Sequence, residues 1–199
     1  MTEAEWLKSD EPYSMLRFLR GKVSDRKVRL FAVACCRRLL FLATDERNKT
    51  VVEVAERFAD GHADIQELLA GRGTIGSSDI SVVLAHVASM MVWHAAEWAM
   101  KGAKLATEPE GEEATQSNLC RDIFGNPFRP VAVDAAWLTS DVLALARQMY
   151  ESRDFSAMPI LADALQDAGC DNPDVLNHCR EGGPHVRGCW VVDLLLGKE

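Results

Sequence analysis

Ser24-Asp25-Arg26-Lys27-Val28-Arg29-Leu30-Phe31-Ala32-Val33-Ala34-Cys35-Cys36-Arg37-Arg38 is the stretch on which the reading of the fold turns. Ser24 supplies an N-cap oxygen, and Asp25 sits in the first turn, where the helix dipole favours an acid. With Arg26 at zero on a 100° wheel, Val28 falls near ~200°, Phe31 near ~140°, Val33 near ~340° and Leu40 near ~320°. A helix that is apolar in nearly every direction is central and buried. This one is expected to continue to about Ala43. Its arginines then require carboxylate partners, because a buried charge is tolerated only when paired.

The rest of the chain is helical in the same sense. Ala, Leu, Glu, Arg and Met dominate, alternating Val/Thr-rich runs are scarce, and only two of the 199 residues are tyrosine. Thr2 with Glu5 has capping-box spacing, and Pro12 suits the first turn of a second helix that Gly21 stops. Asp45 and Glu46 open a helix ended by Gly61, and a short helix follows to Gly71. Ser78 caps a long helix over 79–104. Asn172-Pro173-Asp174 starts a helix that reaches His178-Cys179-Arg180, and 185–196 reads as the last one. Residues 126–133 hold two prolines and must be extended or irregular, as a strap across a helical core. The expected architecture is all-α, an irregular bundle of about nine to ten helices in a single domain over 1–199. An N-terminal half (1–106) and a C-terminal half (116–199) pack together, joined by an acidic Pro- and Gly-bearing linker over 107–115.

Charge is unevenly distributed. Residues 17–49 carry ten Lys/Arg against three Asp/Glu, inside a chain of net charge −8. That segment is either a surface for an anion or nucleic acid, or the complement of the acidic remainder. An acidic chain is repelled by polyphosphate, which favours internal pairing and makes nucleic acid a poor partner. No apolar run reaches the ~18 residues of a membrane span, and the acidic N-terminus is unlike an export signal. Six cysteines in that setting read as reduced thiols or metal ligands in a cytoplasmic protein.

Few motifs carry chemistry. Gly71-Arg72-Gly73-Thr74-Ile75-Gly76 spells the dinucleotide fingerprint but follows a helical segment instead of a strand, so it reads as a linker. His86, His94 and Glu97 share an arc of the long helix, yet no Glu-x-x-His occurs, so histidines hydrogen-bonded within a Met- and Trp-packed helix are expected in place of a di-iron site. The last thirty residues concentrate Cys170, Cys179, His185 and Cys189, with His178 as an alternative ligand. If 185–189 were helical, His185 and Cys189 would share a face. These four suit tetrahedral zinc, although the C-x2-C knuckle of zinc fingers is missing. The alternative is that the three cysteines are buried small residues and the histidines hydrogen-bond at helix ends.

Two groups of residues carry a family likeness. One is the opening 1–7 with Met15-Leu16-Arg17-Phe18-Leu19-Arg20-Gly21-Lys22 and the stretch from Ser24 to Arg38. The other is Arg121-Asp122-Ile123-Phe124-Gly125-Asn126-Pro127-Phe128-Arg129-Pro130, Pro159-Ile160-Leu161-Ala162-Asp163-Ala164-Leu165 and His185-Val186-Arg187-Gly188-Cys189-Trp190. Together they resemble a paralogous family of planctomycete-type (Gemmata-like) bacteria, with roughly 60–115 as a variable middle. The resemblance implies a bacterial, cytoplasmic origin, and no catalytic residues carry over from it. With no nucleophile elbow, Walker A, zincin or kinase motif, the leading expectation is a non-enzymatic interaction or scaffold protein with another protein as partner. Zinc binding at the C-terminus and anion binding through 17–49 are the alternatives.

Overall fold

Many of the helices begin where a side chain or a proline satisfies the first turn. The computed structural model describes residues 1–43, 45–73, 79–106 and 111–198. In α1 (Glu3–Lys8) Thr2 and Glu5 form the reciprocal capping box, and α2 (Pro12–Leu19) has proline at its first position. The central α3 (Asp25–Arg37) is capped by Ser24, and every residue from Val28 to Cys36 is buried. It is shorter than the sequence suggests, because a 3-10 turn (Leu40–Leu42) follows it. Then come α4 (Glu46–Ala59), α5 (Ile65–Gly73), α6 (Asp79–His86), α7 (Val92–Ala106) and α8 (Glu112–Phe124). The remaining helices are α9 (Ser140–Ser152), α10 (Met158–Asp167), α11 (Pro173–Arg180) and α12 (Trp190–Leu196). The fold is all-helical. Twelve α-helices, and no strand, occur among the described residues, against the nine to ten expected.

By its contacts the chain divides into two compact units, Met1–Cys120 and Arg121–Glu199. The division falls within α8, not in the acidic stretch. Of the expected linker, 107–110 lie outside the described residues, while Glu112 onward forms the first turns of α8.

In the first unit α3 packs against α4 and α7, with α5 and α6 completing the layer. The expected helix over 79–104 is in fact two, because residues 87–91 are not helical. The reason is the buried Arg29. Its guanidinium donates to the carbonyl oxygens of Val87 at 2.9 Å and Ser89 at 3.0 Å, which a continuous helix would have used internally. The two segments then approach so closely that a Cβ on Gly102 would lie 2.0 Å from Val83 Cγ1. Gly71 and Gly73 belong to α5, so the glycine motif begins inside a helix and not in a linker; Gly76 lies outside the described residues. His94 accepts from Trp98 Nε1 at 2.8 Å and the His86 ring stacks on Trp98, as expected of packed histidines.

The basic segment is largely consumed by this unit. Arg26 pairs with buried Asp60 at 3.0 Å, and Arg37 and Arg38 make bidentate bonds to Glu56 and Glu112. Arg20 pairs with Glu97, Arg47 with Asp45 and Lys49 with Glu46. With Arg29, seven of the ten basic side chains are committed internally; Arg26, Arg37 and Arg38 find the carboxylates expected of them, whereas the most buried, Arg29, is held by backbone carbonyls instead.

In the second unit α9 through α12 enclose a core that includes Val142, Met149, Leu161, Leu165, Val175 and Val192. Residues 126–134 are irregular, as two prolines require, but they are mostly exposed; Val131 packs on the core. None of the described helices is long and apolar enough to cross a membrane.

Candidate metal centre

The start of α11 and the loop between α11 and α12 set the geometry of the candidate site. Asn172 Oδ1 accepts from the backbone N–H of Asp174 and Val175, which starts α11 and fixes its register. That register buries Val175, Leu176 and Cys179 and leaves His178 at the edge of the core. Gly182-Gly183-Pro184 then ends helical structure. The expected helix over 185–196 is confined to Trp190–Leu196, so His185 and Cys189 do not meet as i and i+4 on a helix. They are brought together by the loop. Cys189 N–H donates to Val186 O at 2.8 Å, Gly188 adopts φ +101°, and Cys189 becomes the N-cap of α12.

The fourth member comes from the last turn of α8. Asp122 is 4% exposed, and its Oδ2 accepts the Val186 N–H at 3.0 Å, leaving Oδ1 to face the histidines. Oδ1 lies 2.8 Å from His185 Nδ1 and 3.2 Å from His178 Nε2. His178 Nε2 is also 3.2 Å from Cys189 Sγ. One ligand atom from each of Asp122, His178, His185 and Cys189 lies within 4.8 Å of the others. Zinc held at about 2.0–2.3 Å by four tetrahedral ligands sets those atoms roughly 3.3–3.8 Å apart, so shifts of under about 1 Å would complete the sphere. A nitrogen, nitrogen, sulfur and oxygen set suits zinc or a similar borderline ion and not the oxygen-seeking magnesium or calcium.

Proton positions point the same way. A neutral imidazole has one donor and one acceptor nitrogen. His185 faces an oxygen at both: Asp122 Oδ1 at Nδ1, and the Glu181 carbonyl at Nε2, 3.2 Å away. Without a metal, both contacts are satisfied only by the imidazolium. With a metal at Nδ1, the Nε2–H bond to Glu181 is the outer-shell contact that orients a ligating histidine. The electrostatics agree. Burial acts to lower the His185 pKa, but the Asp122 hydrogen bond and charge outweigh it and the net shift is upward. Burial acts to raise Asp122, but hydrogen bonds and charge from His178 and His185 hold it below its ordinary range. Burial, reinforced by Asp122, pushes the Cys189 thiol well up. A divalent cation at the centre replaces those protons with its own charge.

Comparison with known protein families, curated proteins and solved structures finds no match. The site therefore rests on its own geometry. Of the residues singled out from sequence, His185, Cys189 and the alternative ligand His178 meet. Cys170 and Cys179 stand outside this group: both are buried in the apolar core of the unit. Burial raises the thiol pKa of each, that of Cys179 to about 12. Asp122 was not among the expected ligands, being 56 positions before His178. Its signal was faint: an acid in α8 beside the buried Leu119, Cys120 and Ile123, where solvent is not its neighbour. Gly125, at φ +63°, ends that helix against the Trp190 ring, so its lack of a side chain admits the indole next to the site.

Proposed function

We propose that the second unit binds one divalent transition-metal ion, zinc foremost, through Asp122, His178, His185 and Cys189, and that the ion is structural. The convergence of those four side chains is the observation that carries this reading. Four protein ligands in a nearly closed setting leave no coordination position for a substrate, which is the pattern of structural zinc. The ion would join the end of α8, the end of α11, the loop after it and the start of α12. A unit of 79 residues is in the size range where a small core gains most from such a staple.

Elemental mass spectrometry on untagged protein purified without chelator tests it. About one zinc per chain is expected, with loss in Cys189→Ser and in His178→Gln. Metal-free protein whose stability does not change when zinc is added would overturn the proposal.

A second reading concerns the wider role, which we infer to be non-enzymatic recruitment of another protein. It is favoured by apolar side chains left in solvent on the first unit: Phe41 is 76% exposed and Met91 70%. Crosslinking in cells should capture the same protein with wild type and lose it with Phe41→Ser or Met91→Ser; a capture pattern unchanged by both substitutions would refute it.

A further inference from the structure

The first unit holds a cavity of about 390 Å³ whose walls come from α2 and α7. Its floor is apolar and fully formed, since Leu16 and Met100 are both buried. Trp93 from α7 lines it, together with Ser14 and Arg17 from α2. Arg20 and Glu97 close the edge by pairing at 2.9 Å, with the Arg20 guanidinium 5.7 Å from the Trp93 ring centroid. Tyr13 completes the lining, its hydroxyl donating to the Glu97 carbonyl at a long 3.5 Å.

The hydrogen-bonding groups in this cavity without a partner are mainly donors. Arg17, Ser14 and the Trp93 indole N–H make no side-chain hydrogen bond or ion pair among the described residues. Arg17 is thereby set apart from the seven basic side chains committed internally. Two guanidinium groups against the single Glu97 carboxylate give the lining a net charge of +1. Acids stand nearby, however: Glu5 and Glu11 line the adjoining hollow that shares Ser14 and Arg17. A highly charged phosphate ligand would meet those three carboxylates, whereas a single negative charge can sit on Arg17 alone.

From this arrangement we infer that the cavity binds a small organic monoanion, a carboxylate with a flat apolar body. The carboxylate would take Arg17 and the Ser14 hydroxyl, and the body would lie between Trp93 and the Leu16–Met100 floor. Ligand sites combine an apolar bed with a few convergent polar groups in this way, and 390 Å³ is within their usual size of about 300–1,000 Å³. Burial, with the charge of Glu97, lifts Tyr13 to about 12, so its hydroxyl remains a donor at neutral pH.

The test uses benzoate and its uncharged isostere benzamide on the full chain, followed by the Trp93 indole N–H resonance assigned with Trp93→Phe. Benzoate should shift that resonance saturably, with a millimolar Kd. Benzamide should bind at least about tenfold more weakly, and Arg17→Gln should weaken benzoate by about tenfold without affecting benzamide, as loss of a charge-assisted hydrogen bond implies. Arg17 is exposed, so the variant should fold, and an unchanged circular-dichroism spectrum would verify this. Equal binding of the two probes, no saturable shift, or an Arg17→Gln variant that binds benzoate like wild type would overturn the inference. Displacement of benzoate by pyrophosphate more readily than by acetate would overturn the monoanion assignment.

Discussion

Replacing Asp122 by asparagine is the most informative single change in this protein. The side chain keeps its shape but loses its charge, and the contacts define what that removes. Oδ1 stands 2.8 Å from His185 Nδ1 and 3.2 Å from His178 Nε2, while Oδ2 takes the Val186 N–H at 3.0 Å. The carboxylate accepts at both oxygens; an amide accepts at one and must turn its NH2 toward a donor at the other. Hydrogen bonds to a charged group contribute about 1.5–3 kcal/mol, and Asp122 is buried enough that solvent screening is slight. A loss of about 2–3 kcal/mol in the metal-free protein follows. For a unit of 79 residues, with roughly 4–8 °C of Tm per kcal/mol, melting should fall by roughly 10–20 °C. Adding zinc separates the two roles of the residue. At free zinc about 1,000 times its Kd, wild type gains about 4 kcal/mol, and the variant should gain far less because one ligand has become a poor one. Near-UV circular dichroism reports melting through the packing of the aromatic side chains, Trp137 and Trp190 of this unit among them, and long-range 15N spectra of the imidazoles report protonation. Below about pH 6.5 His185 should carry protons on both nitrogens in metal-free wild type and lose the Nδ1 proton on zinc binding. A variant that melts with wild type, with and without zinc, would refute the whole chain of reasoning.

Further consequences are open to measurement. In the metal-free protein, Asp122 is held below its ordinary 3.8, so its contribution is present above that value and is lost as pH falls through the lowered one. His185 is raised above its ordinary 6.5, so its contribution is full below that value and fades as pH rises through the raised one. Urea midpoints of metal-free protein should therefore be highest between about pH 3.8 and 6.5 as far as this pair is concerned, and zinc should abolish the alkaline decline; a midpoint still rising through pH 8 without metal would contradict the assignment. Cys170→Ala and Cys179→Ala should each cost about 1 kcal/mol by chemical denaturation yet retain zinc, in contrast to Cys189→Ser; zinc lost from either would place those thiols in the site. Gly102→Ala drives a methyl to 2.0 Å from the stiff Val83 side chain, so α6 and α7 must part. We expect a loss of about 1–3 kcal/mol in urea unfolding, and a neutral result would mean that the helices have slack there.

What sequence alone determined here is what depends on neighbours in the chain. Composition and 3.6-residue periodicity are local properties, and they led to an all-helical fold with α3 at the centre of its unit. Thr2, Ser24 and Asn172 act within three residues of themselves, so their caps were legible. The need of Arg26, Arg37 and Arg38 for carboxylates was legible too, because the energy of burying an unpaired charge does not depend on which acid answers it. Which acid does so was a tertiary matter: Asp60, Glu56 and Glu112 are 34, 19 and 74 positions away. The break at 87–91 likewise needed Arg29 to reach across and claim two carbonyls, a competitor that no local propensity reports. At the candidate metal site His178, His185 and Cys189 lie close in the chain and could be gathered by eye. Cys170 and Cys179 met the same criterion, but the register of α11 and the core of the unit turned them inward. Asp122 is close only in space, and a coordination sphere of about 2 Å radius selects by space alone.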